Sequence, residues 1–302
     1  MVIRVGIIGL SEGNGHPFSF SAIINGYDTN RFADAGWPEI LDYLNRQPTK
    51  NFGFDDVKVT HAWTQNKEVT DKLCAACLIE KAVKSPEDML GQVDALIIGR
   101  DDWETHAPLA MPFLKNGTSV FIDKPLTLDM DELAAFEPYL RSGILMSTAG
   151  LRYARELDLL RKDPHLLGNI HLVSATVLNG VDRYGVHMLD AISSLGLGQV
   201  SRALRRDTTH EAYAITLVSG VPVNLDCLGA VGKTFHISVF GDLGQMHVDL
   251  YDNFSAFHRT LDHFFHMVRT NEAPIAIDDT IKTMRFLSSA RAMAPGDSVE
   301  ID

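Results

Sequence analysis

The chain has 302 residues, room for two domains of roughly 150 residues each, and its 45% hydrophobic content can fill two sizeable cores. Its 27 basic residues stand against 39 acidic ones, a net charge of −12 without a basic cluster, which argues against a nucleic-acid partner. Three cysteines cannot build a disulfide framework, Cys74-x-x-Cys77 lacks the second pair of a zinc site, and no run nears the roughly 18 apolar residues that span a bilayer. A soluble, cytoplasmic enzyme without a metal site is the expectation.

Val2 to Gly9 is a short apolar run ending in glycine, which reads as a buried first strand. It is too short for the apolar part of a secretory signal and carries Arg4. Residues 26 to 54 follow as a polar and aromatic stretch longer than usual connections, the length at which loops are functional or flexible. A strand at Val57 to Trp63, a helix around Val69 to Lys81 and a strand at Ala95 to Gly99, introduced by Asp94, come next. A helix from His106 to Asn116, capped by Gly117, leads to a strand at Ser119 to Ile122, a helix at Met130 to Leu140 and a strand at Ile144 to Thr148. This alternation predicts an α/β domain over residues 1–148 with a doubly wound parallel sheet.

Residues 149–302 change character. Short β-branched and apolar runs occur at Ile170 to Leu178, Ser201 to Arg206, Ala212 to Val218, Val221 to Cys227, Phe235 to Phe240 and Met246 to Leu250. Their short turns suggest an antiparallel meander. A helix from His187 to Leu195 is inserted early, and an amphipathic segment, Phe254 to Arg269, closes the series. An open sheet with helices on one face is an α+β arrangement, and a second subunit is the simplest cover for its other face.

Lys124, in Phe121-Ile122-Asp123-Lys124-Pro125-Leu126, stands where a buried strand ends, and ligands of open α/β sheets bind beyond the carboxyl ends of the strands. A lysine beside apolar walls there is suited to general acid or base work. By position alone, a surface lysine at a loop start is an equal reading.

The motifs, taken in order, resemble the Gfo/Idh/MocA family of nicotinamide-dependent oxidoreductases, which includes glucose-fructose oxidoreductase, inositol dehydrogenase and a rhizopine-catabolism protein. The resemblance rests on Val5-Gly6-Ile7-Ile8-Gly9-Leu10, on Asp94-Ala95-Leu96-Ile97-Ile98 with Thr105-His106, and on Asp123-Lys124-Pro125 in place of Glu-Lys-Pro. Gly185-Val186-His187-Met188-Leu189-Asp190 and the tail from Asp262-His263-Phe264 through Pro274 extend it to nearly the whole chain. It implies a Rossmann-type domain followed by a substrate-binding α+β domain, and a hydride transfer to or from a sugar, cyclitol or sugar derivative with NAD or NADP. It also implies that Lys124 and His187 lie beside the nicotinamide, where the two can supply the catalytic proton path; Asp190, three residues on, reads as an anchor for its helix. Arg152, Asp182, Arg183 and Tyr184 join Lys124 and His187 as candidate substrate contacts.

Three departures qualify the resemblance. The glycine fingerprint is replaced by Gly9-Leu10-Ser11-Glu12-Gly13-Asn14-Gly15-His16-Pro17, in which Gly9, Gly13 and Gly15 can still bring backbone N–H groups to a pyrophosphate. Ser11, Asn14 and His16 fall in the same cofactor set, as do Pro125 and, at a later helix start, His106; His61, inside a strand, has a weaker claim. The second strand ends in Thr64-Gln65-Asn66-Lys67 without an acid, so Thr64 and Gln65 are left for a ribose and Lys67 for a 2′-phosphate. Arg183 stands where family members commonly carry an aspartate, and its guanidinium suits an anionic substrate group. These changes keep open a second reading, a non-catalytic protein of the same fold that binds a ligand or a partner.

Overall fold

The computed structural model describes residues 2–302, which form two compact units. The first comprises residues up to 126, 136–147 and 257–274, and the second comprises 127–135, 148–256 and 275–302. Among the described residues no helix is long and apolar enough to cross a membrane.

In the first unit, β1 (Ile3–Ile8) has both faces covered, with Val5, Ile7 and Ile8 fully buried, as a central parallel strand requires. Gly6 is needed within it because a Cβ there would come within 2.7 Å of Met89 Sδ. Helix α1 (His16–Asn25) is buried nearly all round through Phe18, Phe20, Ile23 and Ile24. Residues 26–54, expected as a loop, instead hold α2 (Thr29–Ala33), α3 (Pro38–Asn45) and a short 3₁₀ turn. Asp28 caps α2 by accepting from the amides of Asn30 and Arg31, and Pro38 opens α3 where a missing N–H costs nothing.

Strand β2 (Val57–Trp63) is followed by α4 (Lys67–Ala76), whose start is set by Asn66 accepting from the amides of Glu68 and Val69. This helix begins earlier and ends sooner than the expected span, because residues 81–82 are strand β3 (Lys81–Ala82). Then come β4 (Ala95–Ile98), α5 (His106–Lys115), β5 (Ser119–Ile122), α6 (Met130–Arg141) and β6 (Leu145–Ser147). The six strands pair in parallel in the order β3-β2-β1-β4-β5-β6. That is a doubly wound sheet whose order reverses between β1 and β4, the place where a ligand crevice forms.

The second unit carries α7 (Asp158–Lys162), β7 (Ile170–Val177), α8 (Val186–Ser193), β8 (Val200–Arg205) and β9 (Glu211–Leu217). β10 (Pro222–Cys227), β11 (Phe235–Gly241) and β12 (Gln245–Asp249) follow. Helix α9 (Asn253–Thr270) returns to the first unit for most of its length. Back in the second unit, α10 (Ile277–Ala290) and β13 (Ser298–Glu300), neither foreseen, complete the chain. The sheet order is β12-β11-β7-β10-β9-β8-β13. It is mostly antiparallel, but β7 and β10 run parallel, so the expected meander is corrected to a mixed topology. One face is apolar, with Val173, Ala175, Leu225 and Ile237 buried, and Tyr213 packs edge-on against Phe286 of α10 at 5.6 Å. The other face carries the alternate residues, among them Thr176, Asp226, His236 and Ser238.

Candidate functional site

At the carboxyl end of the parallel sheet, the glycine loop runs from β1 to α1. Its three glycines serve different ends. A Cβ on Gly9 would collide with Pro17, and one on Gly15 would come within 2.6 Å of the Trp37 ring. Gly13 has φ 74° and would meet nothing within 4 Å, so its freedom serves the turn and leaves the backbone open. The N–H groups of Glu12 and Gly13 donate to no atom among the described residues, and the Glu12 side chain is exposed. Unbonded amides around an open glycine ahead of a helix N-terminus fit the pyrophosphate of a dinucleotide.

The two residues after β5 are both buried and charged. Asp123 Oδ2 accepts from Asn14 Nδ2 at 3.0 Å and lies 2.5 Å from His16 Nδ1. Burial pushes its carboxyl upward, but His16, Lys124 and Asn14 together outweigh this and hold it well below the usual carboxylate range. Lys124 is 5% exposed, and its Nζ lies 3.4 Å from Asp101 Oδ2. Asp101 Oδ1 in turn accepts from Ser11 Oγ at 2.5 Å, and the Asp101 amide donates back to that hydroxyl at 3.1 Å. Ser11, Asn14, His16 and Lys124 are thus linked through Asp101 and Asp123. Neither aspartate was singled out from sequence, although Asp123 belongs to the Asp-Lys-Pro motif itself.

Beyond β2, Gln65 accepts from the Leu10 amide at 2.9 Å and donates to the Leu10 carbonyl, tethering the glycine loop. Its Oε1 also accepts from Arg100 Nη1 at 3.0 Å, while Arg100 pairs with Asp102. Thr64 is buried, with its hydroxyl on the Asn66 carbonyl at 2.7 Å, and Lys67 forms an exposed ion pair with Asp71 at 2.5 Å. His106 is fully buried: Nδ1 lies 2.9 Å from the Leu126 carbonyl and Nε2 3.1 Å from the Arg100 carbonyl. Burial pushes this imidazole below its ordinary value, toward the neutral ring. His106 therefore lies between the loop carrying Asp101 and the loop carrying Lys124 and Pro125, and as a neutral ring it donates to one of the two carbonyls.

In the second unit, α8 is preceded by a π-turn at Val181–Gly185 that holds Asp182, Arg183 and Tyr184. Such turns interrupt regular helices most often at functional positions. Asp182 accepts from the Arg183 amide at 2.9 Å, and the Arg183 side chain is exposed. The His187 ring lies 5.4 Å from Tyr184 and 5.5 Å from Phe235, in an aromatic group. Asp190, one turn on, accepts from Thr148 Oγ1 at 2.8 Å and from the Ala149 amide at 2.6 Å, which ties α8 to the start of the unit. Its carboxyl is raised by burial against the opposing pull of Arg152. Arg152 is buried and donates to Asp279 at 2.5 Å and to Ser193 at 3.3 Å, so its guanidinium is occupied inside the unit. Among the described residues no cluster of His, Cys, Asp or Glu is arranged to hold a metal ion.

Residues 3–141 match a family model described as an oxidoreductase family with an NAD-binding Rossmann fold. No curated protein sequence matches the chain. Among solved structures, the fold is similar to myo-inositol 2-dehydrogenase from Lactobacillus plantarum, at 17% identity and a TM-score of 0.77 with 100% of both chains covered. It is also similar to a scyllo-inositol dehydrogenase from Lactobacillus casei, solved with NAD(H) and scyllo-inositol, at 16% identity and a TM-score of 0.74, covering 100% of this chain and 99% of that one. A third neighbour, described as a possible myo-inositol dehydrogenase of Sinorhizobium meliloti, has 16% identity, a TM-score of 0.74 and 100% coverage of both chains.

Proposed function

We propose that the chain, whose residues 3–141 match the model of the Gfo/Idh/MocA oxidoreductase family with its NAD-binding Rossmann fold, transfers a hydride to or from a CH–OH group of a sugar, cyclitol or sugar derivative. The observation that carries this reading is Lys124, buried at the carboxyl end of β5 beside a carboxylate. The inositol dehydrogenases among the neighbours favour a polyol as substrate.

A bound NAD or NADP supplies the hydride acceptor or donor. The chain supplies what the dinucleotide lacks: open loop amides at Glu12 and Gly13 for its phosphates, and a group that manages the hydroxyl proton. In oxidation, the O–H bond breaks toward the Lys124 amine as the C–H bond yields its hydride; in reduction, the Lys124 ammonium returns that proton. His187, beside Tyr184 in the second unit, is assigned to the substrate hydroxyls, and Arg183 to an anionic substituent. A second copy of the chain is assigned to the polar face of the mixed sheet, making the protein a homo-oligomer.

The test is turnover of a panel of inositols, aldoses and sugar acids with both oxidised cofactors, in wild type and Lys124→Ala. Lys124→Ala should lower kcat by about 10² to 10⁴ while cofactor affinity persists. Turnover within a factor of a few of wild type removes Lys124 from the chemistry. Failure of every cofactor to bind leaves the alternative, a ligand-binding protein built on this fold.

A further inference from the structure

We propose that Asp101 is a positioning residue that sets the place and reactivity of the Lys124 amine, an assignment that rests on the reading of Lys124 as the proton-handling group. Both side chains are almost fully withdrawn from solvent, at 6% and 9% exposure. Two charges desolvated together cost several kcal/mol apiece, which their attraction repays only in good geometry. Here the separation is 3.4 Å, whereas charge-assisted bonds optimised for stability close to about 2.8 Å. This geometry places a buried carboxylate beside the amine.

The carboxylate is the fixed partner. Oδ1 accepts from Ser11, whose hydroxyl is itself held by the Asp101 amide, so the aspartate is closed into a short ring. On one side Arg100 is tied to Asp102, Thr105 and Gln65. The buried His106 ring lies between the Arg100 and Leu126 carbonyls, one next to Asp101 and the other close to Lys124. Lys124, on a four-carbon stem, can swing from Oδ2 to a substrate oxygen, while Oδ2 stays where it is to receive the ammonium back. Because Ser11 lies in the glycine loop, a change in that loop reaches the amine through one hydroxyl and one carboxylate.

The test reads Lys124 directly in the cofactor-free protein. Wild type, Asp101→Asn and Ser11→Ala are exposed briefly to an amine-modifying reagent at mildly alkaline pH, and modification at Lys124 is quantified by peptide mass spectrometry against the exposed Lys50. Loss of the carboxylate should raise Lys124 modification by about tenfold, because the amine no longer pairs with an adjacent opposite charge. Ser11→Ala should change it in the same direction by less, and it decides the matter should Asp101→Asn not fold. In turnover, Asp101→Asn should lower kcat, with substrate KM within a factor of a few. Unchanged Lys124 modification in both variants overturns the assignment. Absence of hydride transfer in wild type with altered modification in the variants overturns the enzymatic reading alone.

Discussion

His16 Nδ1 lies 2.5 Å from Asp123 Oδ2, so the first residue of α1 is clamped to the residue that follows β5. The contact joins the glycine loop to the loop that carries Lys124. It also makes the seat of the loop depend on an ionised, buried carboxylate.

Acid should therefore loosen this end of the sheet. The folded Asp123 carboxyl is depressed below its ordinary 3.8, so its stabilising contribution is complete above that value and is lost as pH falls beneath it. Melting curves between about pH 6 and pH 3 should show wild type losing stability more steeply than Asp123→Asn, which starts lower by about 1–3 kcal/mol. Parallel pH slopes for the two proteins would refute the dependence.

The loop glycines should separate by substitution. Gly13→Val places a β-branched residue at positive φ and should cost about 1–2 kcal/mol of stability, with dinucleotide affinity falling further than stability. Gly15→Ala drives a methyl into Trp37 and Ile40 and should act chiefly on stability. Calorimetric titration of NADH beside thermal melts distinguishes the two, and equal losses in both readouts for both variants would contradict the division.

Cofactor choice should be weak. No acid ends β2, and Lys67 is engaged with Asp71 on the exposed first turn of α4. NAD and NADP should bind within about tenfold of each other, since neither a repulsive carboxylate nor a dedicated phosphate clamp stands at that strand. Lys67→Ala should leave the ratio unchanged, whereas Gln65→Leu, which removes the hydrogen bonds to Leu10 and Arg100, should weaken both. A marked loss of NADP affinity alone in Lys67→Ala, enhanced at low salt, would return the 2′-phosphate to that lysine.

Arg183 should report on substrate charge. It is exposed on the π-turn that leads into the helix bearing His187. If its guanidinium receives a carboxylate or phosphate, Arg183→Ala should raise KM for acidic sugars by about ten- to a hundredfold and leave kcat in place, because removal of one charge-assisted contact costs about 1.5–3 kcal/mol. An unaltered KM across neutral and acidic substrates confines Arg183 to the turn.

Much of the parallel sheet was legible because β4 and the buried parts of β1 and β5 read as short apolar runs, as strands covered on both faces do. The helices between 26 and 54 were missed although Asp28 and Pro38 mark their starts; α2 and α3 span 5 and 8 residues, too few for a helical period to stand out. The parallel pairing of β7 with β10 is non-local and leaves no mark on either strand. At the candidate site, Lys124 stands out by its place after a strand. Asp101 does not, since Arg100-Asp101-Asp102 reads as an ordinary polar turn until the fold brings Ser11 beside it. His106 opens a helix as expected, yet its ring lies between two carbonyls that sequence spacing cannot reveal.

Residues 257–274 return to the first unit. There Phe264 lies 5.8 Å from Phe121, Phe257 lies 4.9 Å from the His16 ring, and Arg269 pairs with Asp56. A fragment ending near residue 148 would thus lack the aromatic lid of its own nucleotide half and present Phe20, Phe54 and Phe121 to water. Synthesis on the ribosome meets the same gap: the amino-terminal half must wait, incompletely covered, until more than a hundred further residues have emerged. The two halves of this chain are accordingly bound by order of assembly as well as by sequence continuity, and excision or grafting of the nucleotide half must carry α9 with it.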